Sequence, residues 1–204
     1  MMRFGGAAAL LLLALPATAQ DLSPSEADIL PRVLDIAQTA LVPGGIGETA
    51  LLLEGVEGDA ADLILLDMAD RTPLLVARGV ARTGGLAGQR PRLDPLPNGS
   101  LALHSEQIAI GRTPWEQSLT LAWRDGTLRV AGVTYMSYDR LTGASATCDV
   151  NLLNGAWETV ATPEGGTEDP RSGQSTPGAP ALADWDEASL PQPCTEALEA
   201  AGLR

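Results

Sequence analysis

The residue types most able to do chemistry are scarce in this sequence: two cysteines, Cys148 and Cys194, and one histidine, His104. Cys148 lies in the stretch ATCDVNLLNGAW, where it could be a nucleophile, a metal ligand or half of a disulfide. A nucleophilic cysteine needs a histidine base, and a zinc site needs more Cys and His ligands than three residues can supply. Two cysteines in an exported chain form a disulfide by default. We therefore predict a Cys148–Cys194 disulfide, which depends on the export argument given below.

His104 is followed by Ser105 and Glu106, which places a base, a hydroxyl and a carboxylate side by side in the chain. Successive side chains of a strand point to opposite faces, so His104 and Glu106 share one face and Ser105 takes the other. No nucleophile elbow or base-orienting motif accompanies them. We predict an exposed strand histidine and no catalytic dyad.

Three carboxylates, Glu116, Asp139 and Asp149, could include the acid and base of a glycosidase. That chemistry requires two of them to lie about 5 to 9 Å apart, and nothing in their spacing along the chain requires it. A hydrolase of envelope polymers is therefore the alternative function. The main prediction has no catalytic residue, no metal site and no cofactor.

Aromatic side chains offer a binding site instead of a catalytic one. The candidates are Trp115, Tyr135, Tyr138 and Trp157, which concentrate in the second half of the chain. On a solvent face they would form a stacking platform for a sugar or an extended peptide, whereas in the core they would simply pack. Trp123 alternates with Leu119 and Leu121 and is predicted to be core.

The first 20 residues, MMRFGGAAALLLLALPATAQ, have the layout of a secretory signal peptide. Arg3 supplies the positive charge, a short apolar run follows, and Ala17-Thr18-Ala19 forms the cleavage site. The apolar run is shorter than the roughly 20 residues that span a membrane. We expect residues 1–19 to be removed before Gln20, and the protein to be periplasmic or secreted.

The formal net charge of −13 comes from arginine and acidic residues alone, since the chain has no lysine. Nucleic acids and anionic membrane surfaces favour clustered positive charge, so both are disfavoured as partners. We expect a monomer with no membrane span that binds a protein or saccharide ligand.

The mature chain is predicted to be mainly β: a single antiparallel meander, sandwich-like or blade-like, spanning residues 20–161. Ser23, Pro24 and Glu26 resemble a helix cap, and the spacing of Leu34, Ala37 and Leu41 predicts a short amphipathic helix over 32–41. Strand-length segments then follow one another between turn signals such as Asp125-Gly126. They are 49–54, 62–68, 73–81, 100–106, 117–124, 127–138, 147–153 and 156–161.

Two further features concern packing. The segment DLILLDM (62–68) is apolar on both faces and requires a second layer, for which the predicted N-terminal helix is the nearest candidate. In the segment 127–138 the apolar phase changes across Ala131-Gly132, which predicts a bulge or bend at Gly132.

The segment 162–193 differs in composition, with many prolines, glycines and acidic residues and almost nothing apolar before Leu182. Such a composition predicts a disordered acidic loop. The last segment, 194–204, is predicted to be a short helix that the disulfide ties back to the sheet.

The stretch LTLAWRDGTLRVAGVTYMSYDRLTGASATCDVNLLNG (119–155) resembles a pattern of uncharacterised secreted proteobacterial proteins, in which G-x-T-Y and Y-D-R precede C-D-V-N-L-L-x-G. Those proteins are remotely similar to blades of FG-GAP or integrin-like propellers. The resemblance implies an exported β-rich domain and no known activity. The calcium loop of FG-GAP blades is not matched, because VEGDAADL (56–63) keeps only the last aspartate of that loop. We therefore predict a non-enzymatic exported protein, a binding or envelope-interaction module.

Overall fold

A computed structural model describes residues 32–56, 58–186 and 190–204. Over these residues the protein is mainly β, with two antiparallel sheets and one short C-terminal helix, as predicted. The proposed signal peptide 1–19 and the capping residues Ser23, Pro24 and Glu26 lie outside the described residues.

The first sheet has four strands in the order of the chain. They are β1 (Val33–Thr39), β2 (Glu48–Glu54), β3 (Ala60–Asp67) and β4 (Pro73–Arg82). Each strand pairs antiparallel with the one before it, which is what short connections allow.

The second sheet has seven strands, again in chain order. They are β5 (Arg92–Pro95), β6 (Leu101–Gln107), β7 (Trp115–Arg124), β8 (Thr127–Tyr138), β9 (Ser145–Asn151), β10 (Ala156–Thr162) and β11 (Asp169–Gln174). Asp125 and Gly126 join β7 to β8 with φ values of 51° and 77°, the backbone that a two-residue hairpin turn requires.

The two sheets pack face to face around a common core of aliphatic side chains. Leu52 and Leu63 of the first sheet and Leu101 and Leu121 of the second are all fully buried. The second sheet therefore covers the inner face of β3. The N-terminal helix that the sequence predicted for this role is not the covering layer. Asp35 also links the sheets, because its carboxylate accepts a hydrogen bond of 2.7 Å from the backbone N–H of Leu93.

The second sheet is wider than the first, and a helix covers its later strands. Helix α1 (Gln192–Ala201) packs on β9 and β10, with Ala197 and Leu198 against Ala146 and Ala161. Its first turn carries Cys194. Gly202 ends the helix in the left-handed conformation, at φ 74°, as is common at helix C-termini.

The predicted helix over 32–41 is wrong, because these residues include strand β1, which pairs with β2. The reason is a register shift between Val33 and Asp35 that makes Leu34 an extra residue. Leu34, Ala37 and Leu41 all reach the core between the sheets. A bulge therefore gave a strand the spacing that usually indicates a helix face.

The prediction of a disordered loop over 162–193 is also wrong for its described residues. Asp169–Gln174 forms β11 on the edge of the second sheet, paired with β10. Further on, the backbone N–H of Val130 donates to the carbonyl of Pro180 at 3.0 Å, and Leu182 is fully buried in the core. The composition was misleading because this segment is held mainly by backbone hydrogen bonds, which need no apolar side chains.

Candidate functional site

Cys148 and Cys194 lie at disulfide distance, with Cα atoms 5.2 Å apart, and neither is a free thiol. This is the pairing that the sequence predicted. Both cysteines are buried, in a cluster with Val150 and the half-buried Tyr135 and Trp157. Alternation in β9 places Cys148 on the side of the sheet that faces α1, so the residue holds the helix and is not positioned for nucleophilic chemistry.

His104 lies on β6 with a quarter of its side chain exposed, and its Nε2 is 3.3 Å from a carboxylate oxygen of Asp94. Burial lowers the pKa of His104 below its usual value, with a smaller contribution from Arg92, while Asp94 opposes the shift. Ser105 is buried on the other face of the strand. The two residues therefore do not form a dyad.

The three candidate carboxylates are not gathered in one site. Asp139 is in the turn between β8 and β9, where Arg112 Nη2 lies 2.6 Å from its carboxylate. Glu116 on β7 and Asp149 on β9 share the face that points away from the first sheet. Strand β8 separates them, which puts their strands about 10 Å apart.

The four candidate aromatic residues do not share one exposed face. Trp115 and Tyr135 stack on each other, with ring centroids 6.0 Å apart and planes 17° apart. Both are half-buried, and Tyr135 also packs against the cluster under α1. Trp157 is half-buried against the disulfide. Tyr138 ends β8 on the opposite face, as the alternation of that strand requires.

The Y-D-R part of the resemblance has a structural role. The carboxylate of Asp139 accepts hydrogen bonds from the backbone N–H groups of Leu141 and Thr142, at 2.8 and 3.3 Å. The guanidinium of Arg140 donates to the carbonyls of Ile108 and Gly111, at 2.5 and 3.0 Å. These two side chains fix the β8–β9 turn against the β6–β7 loop.

A groove of about 240 Å³ is lined by residues of β7, β8 and β9, together with Leu41 from the β1–β2 connection and the β5–β6 turn. Thr120, Thr134 and Asp149 line it and alternate along their strands with the buried core residues Leu119, Val133 and Val150. Thr134 Oγ1 donates to the carboxylate of Asp149 at 2.8 Å, and both side chains remain exposed. The pair thus keeps oxygen atoms accessible to a ligand.

The floor of the groove is open at Gly132. The β7–β8 pairing shifts after Thr120, which faces Gly132, so that Leu121 faces Val130 and Ala131 is the extra residue. This is the bulge that the sequence predicted. A Cβ at Gly132 would lie 3.3 Å from the carbonyl of Val150, so any side chain there would crowd the floor. Polar residues at the rim include Asn98, Ser100, Arg124 and Asn151.

No protein-family model, curated protein or solved structure matches this chain. Among the described residues no three His, Cys, Asp or Glu side chains form a group that could hold a metal ion. Helices of the described residues are all too short or too polar to cross a membrane.

Sequence reasoning missed the groove because its residues carry no motif. Thr134 and Asp149 are ordinary polar positions of two alternating strands, and only the register of β8 with β9 brings them together. The usable signals were the predicted bulge at Gly132 and the outward set of small and polar residues on three consecutive strands. Those signals indicate an open face, and they do not indicate which ligand it takes.

Proposed function

We propose that this protein is an exported, non-enzymatic binding module, and that its ligand site is the groove on β7, β8 and β9. The observation that carries the proposal is the Thr134–Asp149 hydrogen bond at the exposed surface of that groove. A hydroxyl and a carboxylate held together on a rigid sheet form a preorganised pair of hydrogen-bonding groups, which costs little to order on binding.

The chemistry of the groove favours a neutral, hydroxyl-rich ligand. Its polar side chains are hydroxyls, amides and one carboxylate, with Arg124 as the one guanidinium. Such groups bind sugar hydroxyls, and Asp149 disfavours anionic ligands by like-charge repulsion. A saccharide of the cell envelope is therefore the proposed ligand class. None of the four candidate aromatic residues lines the groove.

The test is a titration of isotope-labelled protein with soluble peptidoglycan fragments and envelope oligosaccharides, followed by NMR. We expect shift changes at Thr120, Thr134 and Asn151. Thr134→Val and Asp149→Asn should each weaken binding by roughly tenfold, because the first removes the hydroxyl of the pair and the second removes its carboxylate charge. Glu158→Gln is the matched control, since Glu158 on β10 is the direct neighbour of Asp149 on β9 but does not line the groove.

Three results separate the alternatives. Shift changes centred on Trp115, Tyr135 and Trp157 would move the site to the aromatic residues. Shortened saccharide products in the same samples would favour the envelope-polymer hydrolase. Equal affinity in Asp149→Asn and Glu158→Gln would reject the groove as the site.

A further inference from the structure

One end of the domain exposes large aliphatic side chains from three neighbouring loops. Leu86 lies between β4 and β5, Ile108 and Ile110 between β6 and β7, and Leu141 between β8 and β9. Their exposed fractions are 47, 36, 50 and 78%. We call these four residues the aliphatic loop end.

Hydrogen bonds hold the three loops together. The backbone N–H of Ile108 donates to the carbonyl of Gly88 at 2.9 Å, which joins the first two loops. The backbone N–H of Arg140 donates to the carbonyl of Arg112 at 3.1 Å, which joins the second and third. The Arg140 guanidinium adds its two bonds to the carbonyls of Ile108 and Gly111. The aliphatic side chains are thus displayed on a fixed support.

Aromatic and charged residues surround the aliphatic loop end. Trp115 begins β7 and Tyr138 ends β8, so both half-buried rings lie directly behind the loop tips. Arg112 and Arg140 are exposed beside Leu141. Acidic groups are present too. Asp139 forms an ion pair with Arg112 and raises the pKa of its guanidinium, and Glu164 adds a smaller effect in the same direction.

We propose that the aliphatic loop end docks on a zwitterionic phospholipid surface, with Ile110 and Leu141 entering the acyl region. Protruding loop tips suit a deformable lipid surface better than a shaped protein groove, and aromatic rings with arginine just above the apolar tips match the headgroup layer. The guanidinium groups of Arg112 and Arg140 complement the lipid phosphate, and Glu164 complements a lipid ammonium group. The net charge of −13 disfavours strongly anionic bilayers.

The experiment is co-sedimentation of protein purified after export with vesicles of phosphatidylethanolamine and phosphatidylcholine. We expect binding that declines as phosphatidylglycerol is added. Ile110→Glu combined with Leu141→Glu should lower the partition coefficient at least about tenfold, because two aliphatic side chains no longer enter the apolar region. Ile46→Glu is the matched control, since Ile46 is 74% exposed in the loop at the opposite end of the first sheet.

The result that overturns the proposal is absence of binding to every vesicle composition, which would leave this end for a protein partner. Equal losses in the double variant and in Ile46→Glu would also overturn it. So would binding that rises with phosphatidylglycerol and is unaffected by Leu141→Glu, because that pattern is purely electrostatic. Thermal melts of all variants establish that each is folded before binding is compared.

Discussion

The guanidinium of Arg112 and the carboxylate of Asp139 lie 2.6 Å apart and connect the β6–β7 loop to the β8–β9 turn. The same carboxylate accepts two backbone N–H groups of its own turn. One side chain therefore orders two loops, which are the loops that present Ile108, Ile110 and Leu141 to solvent.

Asp139 should make the stability of the protein depend on acid pH. Its pKa is lowered from 3.8 to about 2, chiefly by the Arg112 hydrogen bond and also by the N–H groups of Leu141 and Thr142. A carboxyl whose pKa is lower in the folded state stabilises it above the unfolded pKa, and that contribution is lost as pH falls through the folded value. Asp139→Asn should therefore be less stable than the parent at pH 7, with the difference disappearing between about pH 4 and pH 2.

Urea denaturation across this pH range measures the effect. Glu116→Gln, an exposed carboxylate on β7, serves as the control for general loss of negative charge. A difference between Asp139→Asn and the parent that persists unchanged at pH 2 would contradict the assignment.

The disulfide should account for a substantial part of the stability. Cys148 and Cys194 are 46 residues apart in the chain, and closing a loop of that size contributes roughly 4 kcal/mol in the chain-entropy account. Cys148→Ser and Cys194→Ser should each lower the free energy of unfolding by a few kcal/mol, and the double variant by little more than either. Thiol alkylation with and without reductant, read by mass spectrometry, checks the bridge directly. Two alkylated thiols in untreated exported protein would disprove it.

Leu182 should be the residue that secures the segment after β11. It is fully buried between the sheets, in a stretch of the chain that has few other apolar side chains large enough to pack there. Leu182→Ala should lower the free energy of unfolding by roughly 2 to 5 kcal/mol, the cost of a cavity in a core that cannot fully collapse. Glu164→Ala, in the exposed turn before β11, is the control. Equal thermal stability of the two variants would mean that the segment is a spacer after all.

Glu48 should be essential to the β1–β2 connection. Glu48 is 1% exposed, and its carboxylate accepts hydrogen bonds from the backbone N–H groups of Leu41 and Val42, at 2.7 and 3.2 Å. Glu48→Ala leaves both groups without an acceptor and should cost roughly 2 to 4 kcal/mol. Glu48→Gln keeps one oxygen acceptor and should cost less. Chemical denaturation of the two variants gives the comparison, and equal losses would contradict this role.

We predict that the protein is exported and that its mature form begins at Gln20. The arrangement of Arg3, the apolar run and Ala17-Thr18-Ala19 meets the requirements of a signal peptidase site. The intact mass of protein recovered from the periplasm should correspond to loss of residues 1–19. Retention of those residues would remove the support for an oxidising compartment.

The strands that could be predicted are those in which apolar side chains alternate with polar ones, or form a short run, within the strand itself. β8 was predicted with its observed limits, 127–138, and the other seven predicted strands differ by two residues or fewer at each end. β7 is typical of these, because Leu119, Leu121 and Trp123 alternate with polar residues. The C-terminal helix and the Gly132 bulge likewise leave local signals in the sequence.

Three strands could not be predicted, each for its own reason. A bulge at Leu34 disguised β1 as a helix. β5 has four residues and a single apolar one, Leu93, which is too little for a pattern. β11 has every side chain exposed and is defined only by its backbone pairing with β10. The groove could not be predicted for the same reason as β11: it depends on how two strands pair, here β8 with β9, and not on a pattern within one strand.

Both sheets add their strands in the order in which the chain is synthesised, so most of the fold can assemble by successive hairpin closure, which is fast because each loop is short. The exception is helix α1, whose Cys194 stands ten residues from the end of the chain and must return to a strand made much earlier. Until it arrives, the thiol of Cys148 lies on an uncovered apolar surface. We therefore expect Cys148 to keep a free thiol until Cys194 has been synthesised and α1 has docked, so that alkylation of Cys148 would report molecules in which the helix is not yet in place.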